Sequence, residues 1–199
     1  MGKKLSGFLF PALLFAWAGA AWAQPVTVSH TTEYVVKFVC GDSNLSSGTD
    51  SETAPVARGN FVTAINVHNP GTKDVALAKR VTVALPSQLP GGTSLFEAAL
   101  IPAGQAFEID CPDIRRIAGG ITPPPASGIT DYSDLNDATL LKGFVVILSG
   151  KIDVVTVYTV DRTVRNVAQN ENVGGSSSIQ VVPVVGRARK GTVQATPHP

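Results

Sequence analysis

The chain has 199 residues with 16% charged, a formal net charge of +1 and 44% hydrophobic residues. That length suits one ordinary domain with its own core, and the near-neutral charge gives no long-range pull towards nucleic acid or an anionic membrane. Dispersed basic residues and only 7% aromatics leave no stacking platform for single strands.

Residues 1–23 read as a targeting segment. Lys3 and Lys4 form a positive start, residues 5–20 are apolar, and Ala21-Trp22-Ala23 supplies the small-x-small pattern of a bacterial type of leader, with cleavage between Ala23 and Gln24. The apolar stretch, about 17 residues, sits at the lower edge for crossing a bilayer, so no stable membrane span is expected after cleavage. Both Trp residues and the sole Met leave with the leader. The remaining chain is expected to be exported, to the periplasm or the cell exterior, as one domain over 24–186 with a flexible tail over 187–199.

In chain order, residues 34–40 (YVVKFVC) alternate with a period of two, putting Tyr34, Val36, Phe38 and Cys40 on one face. The polar stretch that follows, to residue 55, reads as an exposed loop. Phe61, Thr63, Ile65 and Val67 form a second inward set, ended by the turn signal Asn69-Pro70-Gly71. Residues 73–85 alternate again, but Lys79 breaks the apolar parity and predicts a bulge or bend nearby. Residues 95–101 suit a short helix or a strand. Residues 105–111 (QAFEIDC) place Phe107, Ile109 and Cys111 inward, and residues 114–117 suit one helical turn.

The segment 117–139 carries Gly119-Gly120, three consecutive prolines from Pro123 and an acidic run. It is longer than compact domains usually tolerate without a reason. Residues 142–160 (KGFVVILSGKIDVVTVYTV) contain two Val/Ile-rich runs joined by Ser149-Gly150-Lys151, the pattern of a β-hairpin whose first strand is covered on both faces. A polar segment over 161–178 precedes a last strand, 179–185, in which Pro183 calls for an edge position or a bulge.

Cys40 and Cys111 are the two cysteines. In an exported chain, with each at the apolar end of a strand, they are expected to form a disulfide. Seven to nine short strands separated by Gly/Pro/Asn/Ser turns predict an all-β fold, an antiparallel β-sandwich. The distant cysteine pair resembles the architecture of immunoglobulin-like sandwiches. Two hallmarks of true immunoglobulin domains are missing: there is no Trp after the leader, and Ile109 rather than Tyr stands two before Cys111.

No catalytic, cofactor or metal residue is nominated. There is no Gly-x-Ser-x-Gly elbow, phosphate loop or dinucleotide fingerprint, and His30, His68 and His198 are scattered. The acidic candidates are Glu108 and Asp110, which lie two apart on one strand and so share a face, and Asp131, Asp134 and Asp137, whose spacing misses the EF-hand pattern. The expected role is therefore contact: an envelope, matrix or adhesion module meeting protein or an extracellular polymer through loops 42–55 and 117–139. The alternative is a secreted hydrolase or a carbohydrate-active or Ca²⁺-dependent binding domain using those acids.

Overall fold

The computed structural model describes residues 24–42, 59–85, 89–123, 125, 132, 140–166 and 171–197. The leader and its Ala23/Gln24 junction lie largely outside that range, with Gln24 the first described residue. In chain order the elements are β1 (Val26–Asp42), β2 (Asn60–His68), β3 (Val75–Ala84), β4 (Pro90–Thr93), β5 (Glu97–Ile101), β6 (Ala106–Ile109), α1 (Cys111–Ala118), β7 (Leu141–Ser149), β8 (Asp153–Asn166), β9 (Glu171–Pro183) and β10 (Arg187–Pro197). The fold is mostly strand, with all ten strands in one hydrogen-bonded network.

Five of the strands close on themselves. β10 pairs β5, β5 pairs β3, β3 pairs β7, β7 pairs β1 and β1 pairs β10, completing a ring. Its ladders are antiparallel apart from the two-residue parallel contact of β10 with β5, at Thr196↔Glu97 and Pro197↔Ala98. Each strand sends small or branched side chains into the ring: Val28 from β1, Ala78 from β3, Ala98 from β5, Val146 and Leu148 from β7, and Val193 and Ala195 from β10. So few strands enclose little space, which is why alanine and valine dominate the lining.

The second layer consists of β2, β6, β8 and β9, with β8 between β2 and β9. It faces the opposite side of β1, β3 and β7. Tyr34, Val36, Phe38, Leu77, Val81, Val145 and Ile147 from one side meet Ile65, Val67, Ile109 and Val154 from the other in one buried cluster, which also takes Ile114 and Ile117 of α1. β7 is covered on both faces over residues 145–148, Val145 and Ile147 towards this core and Val146 and Leu148 into the ring, whereas Phe144, expected to be covered as well, is 42% exposed. The alternation expected for 34–40 and 61–67 is what the strands show.

Where the layers meet, β1 carries the junction. Gly41 and Asp42 pair with Phe61 and Asn60 of β2, and Cys40 is disulfide-bonded to Cys111 at the start of α1, as expected. The buried Thr63 hydroxyl donates to the Val39 carbonyl (2.9 Å) and accepts from the Val39 amide (3.0 Å). The Tyr158 hydroxyl donates to the Lys37 carbonyl at 2.7 Å. Two side chains from the second layer thus take the Lys37 carbonyl and both backbone groups of Val39 on the stretch of β1 edge between its pairings with β10 and with β2.

The structure corrects several sequence expectations. β7 and β8 are not a hairpin: β7 lies between β1 and β3, and β8 between β2 and β9, so residues 150–152 cross from one layer to the other. The Tyr34 hydroxyl anchors that crossover, donating to the Ile152 carbonyl (2.8 Å) and accepting from its amide (3.1 Å). The hairpin is instead β8–β9, whose strands extend through the polar segment and pair with each other beyond the start of β2. Residues 187–197, expected as a flexible tail, form β10 because β1 offers them an unpaired edge. Residues 95–101 give a strand, and the single helical turn is the eight-residue α1. The ladder with β7 runs unbroken through Lys79, and the irregularity lies further on, between Thr82 and Ala84 against β4.

The disulfide spans 71 residues of sequence. Loop-closure entropy puts its contribution at roughly 4 kcal/mol. Replacing Cys40 and Cys111 together with alanine should lower the unfolding free energy from urea titration by about that amount. A loss below about 1 kcal/mol would mean that Thr63 and the β1–β2 bridge hold the junction without it.

Candidate interaction surface

The acidic candidates do not converge. Glu108 is exposed on β6, opposite Asn66 of β2. Asp110 lies beyond the end of β6 and caps α1, its Oδ1 accepting from the Asp113 amide at 3.0 Å. Asp113 in turn lies 3.6 Å from the Arg116 guanidinium. Asp131, Asp134 and Asp137 lie outside the described residues, as does loop 42–55 beyond Asp42 and much of 117–139. Within that second loop Tyr132 is fully buried and donates to the Gly91 carbonyl at 2.8 Å. Among the described residues no group of three or more His, Cys, Asp or Glu side chains is placed to hold a metal ion.

One concentration of charge is well formed. Arg116 grips Glu97 of β5 with two bonds, 2.7 and 3.0 Å, and this pairing raises the guanidinium pKa. Lys79, only 2% exposed, sits beside Glu97 in the β3–β5 ladder with its ammonium 5.7 Å from the Phe107 ring centre. Burial lowers the Lys79 pKa, and the nearby Asp113 and Glu97 oppose that shift. The group ties α1 to the ring, and its amine, Lys79, is buried. His68 forms an exposed contact with Asp153 at 3.3 Å, and His30 is buried at the β1–β10 ladder opposite Gly191.

The outer side of the β2–β8–β9 layer carries a run of apolar residues. Its residues line up in register across three strands: Val62, Thr159 and Ile179; then Ala64, Val157 and Val181; then Asn66, Val155 and Pro183. Ile179 is 70% exposed, Val181 60% and Val62 44%. The alternation that buries Thr63, Ile65, Val67, Val154 and Thr156 necessarily turns this second set outward. An open groove of about 570 Å³ lies near the end of β9, between Thr32, Tyr34 and the strand end at Pro183 and Val184, with Lys151 and Asp153 on its rim.

β9 is also a sheet edge. It pairs with β8 alone, and Pro183 stands on it as its missing donor requires. The Val184 amide donates to the Val154 carbonyl at 2.9 Å, fixing which residues face β8. In an antiparallel ladder the direction alternates, so Ser178, Gln180 and Val182 bond inward, while Ser177, Ile179 and Val181 direct N–H and C=O outward. The sequence marked 179–185 as a strand but gave no sign of its neighbours. Outward valines on β2 and β8 were visible only as the second phase of each alternation.

No protein-family model matches this sequence, and neither a curated protein nor a solved structure is significantly similar to it.

Lys79 makes a signed prediction. Its folded-state pKa lies below the ordinary 10.5, so between the two values the unfolded chain binds the extra proton and stability rises with pH. At pH 7 the cost of burying the charged form is fully present. Lys142, also lowered by burial and by Lys37, contributes in the same direction. Lys79→Met should therefore raise the urea midpoint at neutral pH and flatten its rise towards about pH 10. A lowered midpoint would show that the ion pairs outweigh the burial cost.

Proposed function

We propose that this chain is an exported, non-catalytic contact module that works in the envelope, the extracellular matrix or adhesion. Its contact surface is the outer face of β2–β8–β9. The observation that carries the reading is the run of outward apolar residues in register on that face, with Ile179 and Val181 more than half exposed. In the same chain β7 buries Val145, Val146, Ile147 and Leu148 on its two faces. Contiguous exposed apolar surface on a sheet marks a site of contact more often than a failure of packing.

Export is part of the proposal. The leader at 1–23, cleaved between Ala23 and Gln24, would deliver the chain to the periplasm or cell exterior, and the Cys40–Cys111 bridge suits an oxidising compartment. The architecture we assign is a sandwich of immunoglobulin-like type, elaborated by the ring that β10 closes on one layer. Loops 42–55 and 117–139 would add contacts beside the sheet face. The hydrolase and Ca²⁺-dependent alternative gains nothing from Asp110, whose carboxylate is engaged in capping α1.

Magnitudes favour a modest affinity. An apolar face on the order of 300 Å² contributes about 7 kcal/mol when covered. The cost of association, roughly 4–15 kcal/mol, takes most or all of that. The face alone would hold a partner weakly, as suits a module displayed in many copies.

The test is retention of the purified protein by envelope and matrix fractions of its own organism, for wild type and for Val62→Lys and Val157→Lys. Both positions point outward, so the urea midpoint should stay close to wild type while retention falls about tenfold or more. Undiminished retention of both variants would contradict the assignment of this face.

A further inference from the structure

We propose that the occupant of the free β9 edge is a second copy of this chain, its β9 running antiparallel to the first across a two-fold axis at Ile179. This rests on the contact reading above and names its partner.

The described structure leaves β9 as a long open edge that carries no charge over residues 177–182. Ring closure pairs β3, β5 and β7 along much of their length. β10 meets β5 only at Thr196 and Pro197, so its second edge is open over residues 187–195. Arg187, Arg189 and Lys190 on that edge, however, would set like charges against a second copy. On β1 between its pairings with β10 and β2, Thr63 and Tyr158 already occupy Val39 and the Lys37 carbonyl, which leaves no continuous row for another strand. β6 is four residues long and carries the exposed Glu108, a poor template for another strand. On β9 the residues directing backbone groups outward include Ser177, Ile179 and Val181, while Pro183 can only accept.

Those positions choose the register. A two-fold axis at Ile179 pairs Ile179 with its own mate and Ser177 with Val181 of the other copy, so every outward donor from 177 to 181 is used. An axis at Val181 would instead set Ile179 against Pro183, where one donor is missing. Residues 177–182 (SSIQVV) carry no charge, so a symmetric pairing meets no like-charge repulsion, and a two-fold contact must be complementary to itself. Exposed Ser178 and Gln180 face each other on the opposite side of the ladder with groups that can donate and accept. The apolar rows through Ile179 and Val181 then continue from one copy into the next.

Five paired residues cover well under the about 1,000 Å² of a stable complex. Association is therefore expected at high concentration, or where copies are crowded on a surface.

Sedimentation velocity from about 1 µM to about 1 mM tests this on the protein with its disulfide intact. Wild type should move from monomer towards dimer across the range. Val181→Pro removes an outward donor without touching the bonds to β8, and should stay monomeric with a near wild-type urea midpoint. Val181→Ala, which keeps the donor, should still dimerise. In a register centred on residue 179, mated Cα atoms lie about 5.5 Å apart, within disulfide reach. Ile179→Cys should therefore cross-link to its own mate, and Val181→Cys should not. A wild type monomeric throughout, a Val181→Pro variant that still dimerises, or equal cross-linking at both positions would each overturn the proposal. If wild type stays monomeric but Val181→Pro loses retention by envelope fractions, the edge takes a foreign strand and only the second copy is rejected. If dimers form as described while Val62→Lys and Val157→Lys are retained normally, the sheet-face reading fails and this one stands.

Discussion

The backbone of β1 runs for 17 residues, and no single neighbour pairs it along that length. On one edge β7 pairs with residues 32–40. The other edge is divided: β10 takes residues 26–33, the Tyr158 and Thr63 hydroxyls take Lys37 and Val39, and β2 takes Gly41 and Asp42. An unpaired buried amide or carbonyl costs about 1–3 kcal/mol, so each of these partners is held in place by β1 as firmly as it holds β1. The ring, the second layer and the disulfide between them all follow from that division.

Packing obeys the same strand. Phe38 projects from β1 against Gly143 of β7, its registered partner, where an added side chain would strike the Thr82 carbonyl and the Phe38 ring. The glycine lets a large aromatic sit between two closely spaced strands. Beyond it, β7 divides its valines, isoleucine and leucine between the ring and the main core. On β2, β8 and β9 a second set of apolar residues is left outside, and β9 adds to that face an open row of hydrogen-bonding groups.

Local alternation was legible in the sequence; neighbours were not. Residues 34–40 and 61–67 show their buried faces because each strand meets the core along its length. The Ser149-Gly150-Lys151 turn looked like a hairpin because composition reports that the chain reverses, not which edges are already occupied; β1 and β3 occupy both edges of β7. β10 was hidden for a related reason. Arg187, Arg189 and Lys190 are exposed, Arg189 pairs with Glu33, and only Val193 and Ala195 turn inward. Its strand comes from the edge offered by β1 rather than from its own pattern. Asp110 could have been read correctly: Asp110, Pro112 and Asp113 together are a helix-start signature, which takes the carboxylate out of any strand face. Lys79 marked a genuine oddity, but its resolution through Glu97, Asp113 and Phe107 needed three distant segments.

Hydrogen–deuterium exchange read amide by amide, on dilute protein with the Cys40–Cys111 bridge intact, tests the central claim most directly. A β1 that recruits β10 to close a ring and leaves β9 open predicts slow exchange for the amides of β10 that face β1. It also predicts alternation along β9, with Gln180 and Val182 slow and Ser177, Ile179 and Val181 fast. Exchange of residues 187–197 at the rate of an unstructured tail, or uniform protection from 177 to 182 in the monomer, would contradict it.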